Sequence, residues 1–278
     1  MERRMRRWLS LVLLVIFLTA TGLLAGKIKD GISGSEDYGK ALEIARGAQP
    51  SAEREQTEPE PVRTQPAAAE EKLPRWIPAP VEDDTHLQEL EGIDLDALRQ
   101  TNPDVIGWIL LPDTDINYPI MQGTDNDYYL NHTWLKEPNA VGSIFMEHRN
   151  LPDFTDYNTI LYGHNMINGS MFSDLGRYTG ESFHKDHPYV YVVTDEGVFR
   201  YEVFSAYQAE LGSATYGLSF RQENTKKEFL IHALSNSKFD MGIAPDLTDR
   251  ILTLSTCSGT GGDTRWVVHA RLKMVQIS

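Results

Sequence analysis

The chain has 278 residues, 41% hydrophobic and 24% charged, with 40 acidic against 26 basic side chains and a formal net charge of −14. That is the composition of a globular protein of one or two domains, and the acidic balance argues against a nucleic-acid binder. The one cysteine, Cys257, excludes an intramolecular disulfide and any multi-cysteine zinc or iron–sulfur site. It matters as a thiol, by intermolecular pairing, or only as a small buried apolar residue.

In chain order, Arg3, Arg4, Arg6 and Arg7 precede an uncharged apolar run from Trp8 to Ala25. As a helix this run reaches roughly 27 Å, enough to span a bilayer. The arginines place the N-terminus in the cytoplasm, which exports everything after Lys27. The alternative is a cleaved signal peptide, for which Thr19, Ala20, Gly22 and Ala25 are suitably small. Without residues 1–26 the chain carries 22 basic and 39 acidic residues, a net of −17. Residues 35–46 suit a short juxtamembrane helix with a poor apolar stripe. Seven of the fourteen prolines then fall between Pro50 and Pro80, interleaved with glutamates, as in an extended linker. The expected division is a cytoplasmic tip and membrane anchor over 1–26, a juxtamembrane segment and linker over 27–84, and a folded domain over 85–278.

The domain opens with a helical stretch carrying Leu87, Leu90, Ile93, Leu95 and Leu98, ended by Asn102-Pro103. Eight strands are predicted after it: Val105–Leu111, Ile116–Met121, Gly142–Glu147, Thr159–Tyr162, Tyr189–Thr194, Val198–Tyr207, Ile251–Thr256 and Arg265–Val275. Their number and punctuation argue for a mainly β barrel or sandwich. A helix is expected between strands six and seven, over Ser219–Leu234, with short helical turns at Asp125–Asn131 and Met171–Tyr178. His184-Lys185-Asp186-His187 has ligand-like spacing but lacks a third ligand, and reads as a solvated loop. Asp113, Asp115, Asp125 and Asp127 read as turn and cap residues. No metal and no cofactor is expected.

The last two strands pair on paper. A hairpin symmetric about Gly261 sets Cys257 opposite Arg265. Period-2 alternation then puts Leu252, Leu254, Trp266, Val268, Ala270 and Leu272 on the core side. Thr253, Ser255, Cys257, Arg265, Val267, His269 and Arg271 take the face away from the core. A guanidinium beside a thiol favours the thiolate nucleophile, and acyl transfer also needs a proton donor and an oxyanion partner. His164, at a strand end in Tyr162-Gly163-His164-Asn165, suits the donor, although it is one of eight histidines. Arg265 suits the oxyanion, although it equally suits a surface salt bridge.

Thr253-Leu254-Ser255-Thr256-Cys257, the arginine opening the next strand, and Leu161-Tyr162-Gly163-His164-Asn165 together resemble the sortase signatures. The similarity covers about residues 87–275. The helical lead-in, Val105-Ile106-Gly107-Trp108, Gly142-Ser143-Ile144-Phe145-Met146 and the helix before the cysteine strand resemble class B in particular. The resemblance implies a closed eight-stranded β-barrel with an N-terminal helix and a helix between strands 6 and 7. It implies a membrane-anchored cysteine transpeptidase that cuts a C-terminal sorting signal of secreted proteins through a thioacyl enzyme. The acyl group then passes to an amine of a peptidoglycan precursor or a pilin, outside the plasma membrane of a Gram-positive cell.

By the same resemblance Cys257 is the nucleophile, His164 the general acid/base and Arg265 the oxyanion or substrate clamp. Asn126, Leu130 and Ser255 match substrate contacts, and signals of the Asn-Pro-x-Thr type are common in class B. Ser258 departs from the acidic residue that some class B enzymes carry. Two other readings of these residues are a cell-wall L,D-transpeptidase or cysteine peptidase, whose histidine-glycine motif before the cysteine is absent, and a catalytically silent peptide-binding module.

Overall fold

The computed structural model describes residues 33–47, 84–257 and 263–276. The expected anchor and most of the Pro/Glu-rich segment lie outside these residues, as does the loop joining the last two strands. Helix α1 covers 33–47. It is followed by α2 (Thr85–Leu90), α3 (Leu95–Thr101), β1 (Val105–Leu110), β2 (Asn117–Met121), β3 (Ile144–Met146) and β4 (Asn158–Tyr162). Then come α4 (Glu181–Asp186), β5 (Tyr189–Thr194), β6 (Gly197–Glu210), α5 (Glu223–Asn236), β7 (Ile251–Cys257) and β8 (Thr264–Gln276).

The eight strands close in the order β1-β2-β3-β4-β7-β8-β6-β5. Closure leaves no sheet edge unpaired. Two pairs are parallel, β2 with β3 and β4 with β7, and the remaining six are antiparallel. The interior is filled by Ile109, Ile120, Ile144, Leu161, Val192, Phe199, Leu252, Leu254, Val268 and Ala270, all fully or almost fully buried.

Helix α1 shares this core despite its poor stripe. Its small residues Ala41 and Ala45 are fully buried and let the helix approach closely, and Tyr38 fills the remaining space. Tyr38 donates to the Gly142 carbonyl (2.6 Å), and Trp134 Nε1 donates to the Asp37 carbonyl (2.8 Å). At the other end Asp94 N donates to the Ala45 carbonyl (3.0 Å), and Arg46 pairs with Glu89. The α2 N-cap is Asp84, whose carboxylate also takes Tyr191 (2.7 Å) and Arg200 (3.0 Å) from the β5–β6 hairpin. One side chain thus caps a helix and ties it to the barrel.

Four local expectations change. The helical turn expected over Asp125–Asn131 is a single 3-10 turn, Tyr128–Leu130, and that over Met171–Tyr178 is a 3-10 helix at Ser173–Thr179. The stretch His184–His187 is not a solvated loop. His184 lies in α4, buried, with Nε2 donating to the Val203 carbonyl (3.1 Å). Helix α5 starts four residues later than expected and runs two further.

The face assignment of the last hairpin holds, but the outer face is not open to solvent, contrary to expectation. The register is as expected, from Ile251 opposite Arg271 to Cys257 opposite Arg265. The face turned away from the barrel interior is nevertheless dry at Thr253, Ser255, Val267 and His269. The connection from β6 to β7 folds back over it. Phe229, Leu230 and Ala233 of α5 join Phe204 and Ile251 in a second small core, and Tyr207, Ala209 and Val267 form a third with Tyr216 against them. Burying Phe229 and Leu230 contributes about 1.5–3 kcal/mol each. Phe229→Ala is therefore expected to cost about 3 kcal/mol in urea unfolding. A loss below about 1 kcal/mol would mean that α5 does not hold the outer face.

Candidate active site

The site forms at the C-terminal ends of β4 and β7. These strands run parallel in the register Asn158 opposite Ile251 through Tyr162 opposite Ser255. The pairing continues one step through Gly163 N, which donates to the Ser255 carbonyl (3.2 Å). His164 then follows on one strand and Thr256-Cys257 on the other. A Cβ on Gly163 would stand 2.5 Å from Ile144 Cδ1 and 2.9 Å from the Phe172 ring, so only glycine lets the chain pass there. Cys257 closes β7, and its backbone partner across the antiparallel ladder is Arg265. Strand pairing alone thus brings the backbones of His164, Cys257 and Arg265 to one end of the barrel.

The loop after His164 is tightly closed. Phe172 N donates to the His164 carbonyl (2.9 Å), and Asn165 bridges to Met171. The imidazole Nε2 lies 2.6 Å from the Leu130 carbonyl. A carbonyl only accepts, so Nε2 carries the proton and Nδ1 is the nitrogen left to exchange one. The Leu130 carbonyl lies close against Gly142. That residue has φ +61°, and a Cβ there would come within 2.6 Å of the same oxygen. Only glycine takes this position without strain.

The remaining candidate residues divide. The hydroxyl of Ser255 meets that of Tyr216 at 3.0 Å. Leu130 contributes its carbonyl to His164 and leaves its side chain exposed. Asn126 is engaged on both sides of its amide, with Nδ2 donating to Glu147 Oε2 (2.7 Å) and Oδ1 accepting from His148 N (2.9 Å). Its link to the site runs through Glu147, which also accepts from Tyr162 (3.1 Å) and Arg149 Nε (2.7 Å). Arg265 Nη1 donates to the Thr264 carbonyl (3.0 Å).

Tyr162 and Tyr216 were not singled out from the sequence. Their rings stack, with centroids 6.5 Å apart and planes 21° apart, and they link the strand of His164 to that of Cys257. Tyr162 entered the sequence reading only as a neighbour of His164 in its signature, with no role of its own. Tyr216 sits in a 3-10 turn, Ala214–Tyr216, with no periodicity to flag it.

The sortase-domain family model matches residues 109–273. Sortase B of Listeria monocytogenes is 37% identical over 164 residues, 59% of this chain and 67% of that protein. Sortase B of Staphylococcus aureus is 33% identical over 191 residues, 69% of this chain and 78% of that protein. The chain belongs to the sortase family. Solved class B sortases share its fold. The Staphylococcus aureus sortase B–substrate complex aligns with TM-score 0.62 and 34% identity over 66% of this chain and 85% of that one. Sortase B of Bacillus anthracis in complex with AAEK1 aligns with TM-score 0.60 and 38% identity over 64% and 83%. This sortase is thus a cysteine transpeptidase with the closed eight-stranded barrel expected of it.

Burial works to raise the Glu147 carboxyl, but Arg149 and Asn126 outweigh it and the net shift is downward. A carboxylate whose folded pKa lies below its unfolded one stabilises the fold above about pH 4.3. That contribution is lost as pH falls through the folded value. Glu147→Gln should therefore flatten the acid limb of the stability profile of this sortase in urea unfolding between about pH 5 and pH 3. An unchanged acid limb would remove Glu147 from the account.

Proposed function

We propose that this sortase cuts the C-terminal sorting signal of secreted proteins and passes the acyl group to an amine of a peptidoglycan precursor or a pilin. Cys257 is the nucleophile, His164 the general acid/base and Arg265 the oxyanion or substrate clamp. The observation that carries this reading is the strand register, which brings Arg265 opposite Cys257 and the end of β4, with His164 beyond it, alongside β7. The peptide is proposed to lie in a groove along the outside of β4 and β7, with Tyr162 and Tyr216 as a wall beside Ser255 and Leu130 on the side of His164. Asn126 acts through Glu147.

In this reading the reactive form pairs the Cys257 thiolate with a His164 imidazolium that has taken the thiol proton on Nδ1. The thiolate attacks the scissile carbonyl, and Arg265 stabilises the oxyanion that develops. The C–N bond breaks as the leaving amine takes a proton from His164 Nδ1, leaving a thioester on Cys257. The incoming amine gives a proton back to Nδ1 and attacks the thioester carbonyl. A new amide forms and the thiolate leaves. The Leu130 carbonyl holds the ring so that the same nitrogen serves both steps.

Among the described residues no helix is long and apolar enough to cross a membrane, and the apolar run Trp8–Ala25 lies outside them. The anchoring belongs to this proposal and rests on that run and its preceding arginines. The packing of α1 supports a short connection, because residues 33–47 already share the barrel core. Deleting residues 1–26 is expected to move the protein from the membrane to the soluble fraction with peptide transfer intact. An active protein that sediments with membranes without those residues would refute the anchor.

The reaction is tested by mixing the enzyme with an Asn-Pro-x-Thr-type peptide and an amine acceptor. Cys257→Ala should abolish transfer, and His164→Ala should do so with an unchanged unfolding midpoint. Arg265→Lys should lose at least about a hundredfold, 2.7 kcal/mol of transition-state stabilisation, because an ammonium lacks the planar two-donor fork. Near-normal turnover in any of the three would remove that residue from its role.

A further inference from the structure

Beneath α5, a line of hydrogen bonds crosses from the helix to β4. It joins His232, Thr215, Tyr207, His269, Thr253 and Asn158. Its direction follows from counting protons. Asn158 Nδ2 donates to the Gly217 carbonyl (2.9 Å), so its Oδ1 is the atom facing Thr253. Thr253 gives its one hydroxyl proton to that oxygen (2.6 Å) and therefore accepts from His269 Nδ1 (2.9 Å). His269 is fully buried, and burial, with nearby His232 second, pushes its pKa down to about 3. The ring is neutral, so with the proton on Nδ1 its Nε2 is bare and accepts from Tyr207 (3.0 Å). Tyr207 then accepts from Thr215 (2.8 Å), and Thr215 from His232 Nε2 (3.2 Å). Every hydroxyl gives one proton forward and receives one from behind.

This line passes through the turn that carries Tyr216. Thr215 is the middle residue of the Ala214–Tyr216 turn, which is also gripped by Asn158 Nδ2 at the Gly217 carbonyl. Tyr216, the next residue, meets Ser255 and stacks on Tyr162. Those two residues stand two positions before Cys257 and His164 respectively. Tyr207 and Thr215 are buried, so a missing hydroxyl leaves its neighbour unsatisfied where water does not reach. The barrel ladders are independent of these side chains, so the turn is the part free to shift.

The geometry points to Tyr207, Thr215 and His269 as positioning residues for peptide binding, which hold Tyr216 against Ser255 through this one-way line. The inference rests on the groove assignment made above.

The test uses the full-length chain and the Asn-Pro-x-Thr-type peptide. Binding is measured in a Cys257→Ala background and turnover with Cys257 present, so a failure of the transpeptidase reading shows in turnover alone. Thr215→Val is expected to weaken binding and raise KM at least fivefold with kcat within twofold. Thr215→Ser, which keeps the hydroxyl, should stay within twofold of the parent in both. In a Tyr216→Ala background Thr215→Val should change binding less than twofold, since its effect passes through that ring. Should Thr215→Val not fold, Tyr207→Phe is read in the same way. Unchanged binding, an equal loss with and without Tyr216, no rescue by Thr215→Ser, or no peptide binding by the parent would each overturn the inference.

Discussion

The parallel pairing of β4 with β7 is the constraint on which the rest of the site depends. Adjacent strands lie ~4.8 Å apart, so the register Tyr162 opposite Ser255, extended by Gly163 N to the Ser255 carbonyl, brings the ends of these two strands together. A parallel pair cannot be closed by a hairpin and requires a long crossover. Residues 163–250 form that crossover and supply α4, β5, β6 and α5 on the way. The third residue arrives more cheaply in chain length, because β8 follows β7 antiparallel and sets Arg265 opposite Cys257. A one-residue slip between β4 and β7 would turn every side chain of one strand to its other face. The buried aliphatics Leu161, Leu252 and Leu254 forbid that slip.

The crossover has a second effect, on the outside of the barrel. By returning over β7 and β8 it converts a sheet surface into an interface with its own apolar residues and its own polar line. The polar groups of that line are matched in sequence from His232 to Asn158, which is the condition under which such a network rigidifies its surroundings. The outer layer holds Tyr216, so the surroundings of Ser255 rest on the crossover as well as on the barrel. The opposite side of the molecule is tied down differently. Helix α1 packs through small residues and backbone hydrogen bonds, with Asp84 joining α2 to β5 and β6.

Much of this was legible in the sequence because alternation and turn chemistry are local. All eight strands, the register of the last hairpin and the barrel-side residues Leu252, Leu254, Val268 and Ala270 follow from period-2 reading. What alternation cannot report is what lies over a strand's second face. Thr253, Ser255 and His269 read as outward and are dry, because the covering helix comes from elsewhere in the chain. Helix α1 was legible as a helix over 35–46, but its docking on the barrel was not, because Ala41 and Ala45 contribute closeness rather than hydrophobicity and leave only a poor apolar stripe. His184 looked solvated because its acceptor, the Val203 carbonyl, is supplied by another strand. Leu130 was singled out as a match to a substrate contact, and the structure adds that its carbonyl meets His164 Nε2. Asn126 is linked to Tyr162 through Glu147, a connection between side chains far apart in sequence. Cys257, His164 and Arg265 stood out through the sortase signatures, and the strand register supports their assignment.

The account stands most directly on where a captured peptide sits. A crystal structure of the enzyme with a sorting-signal peptide trapped as a covalent adduct would settle it. The account predicts the acyl carbon on Cys257 Sγ, its oxygen within hydrogen-bonding distance of the Arg265 guanidinium, and His164 Nδ1 facing the leaving-group side. An adduct lying across another face of the barrel, or one on Cys257 with Arg265 turned to a carboxylate and His164 out of reach, would contradict it.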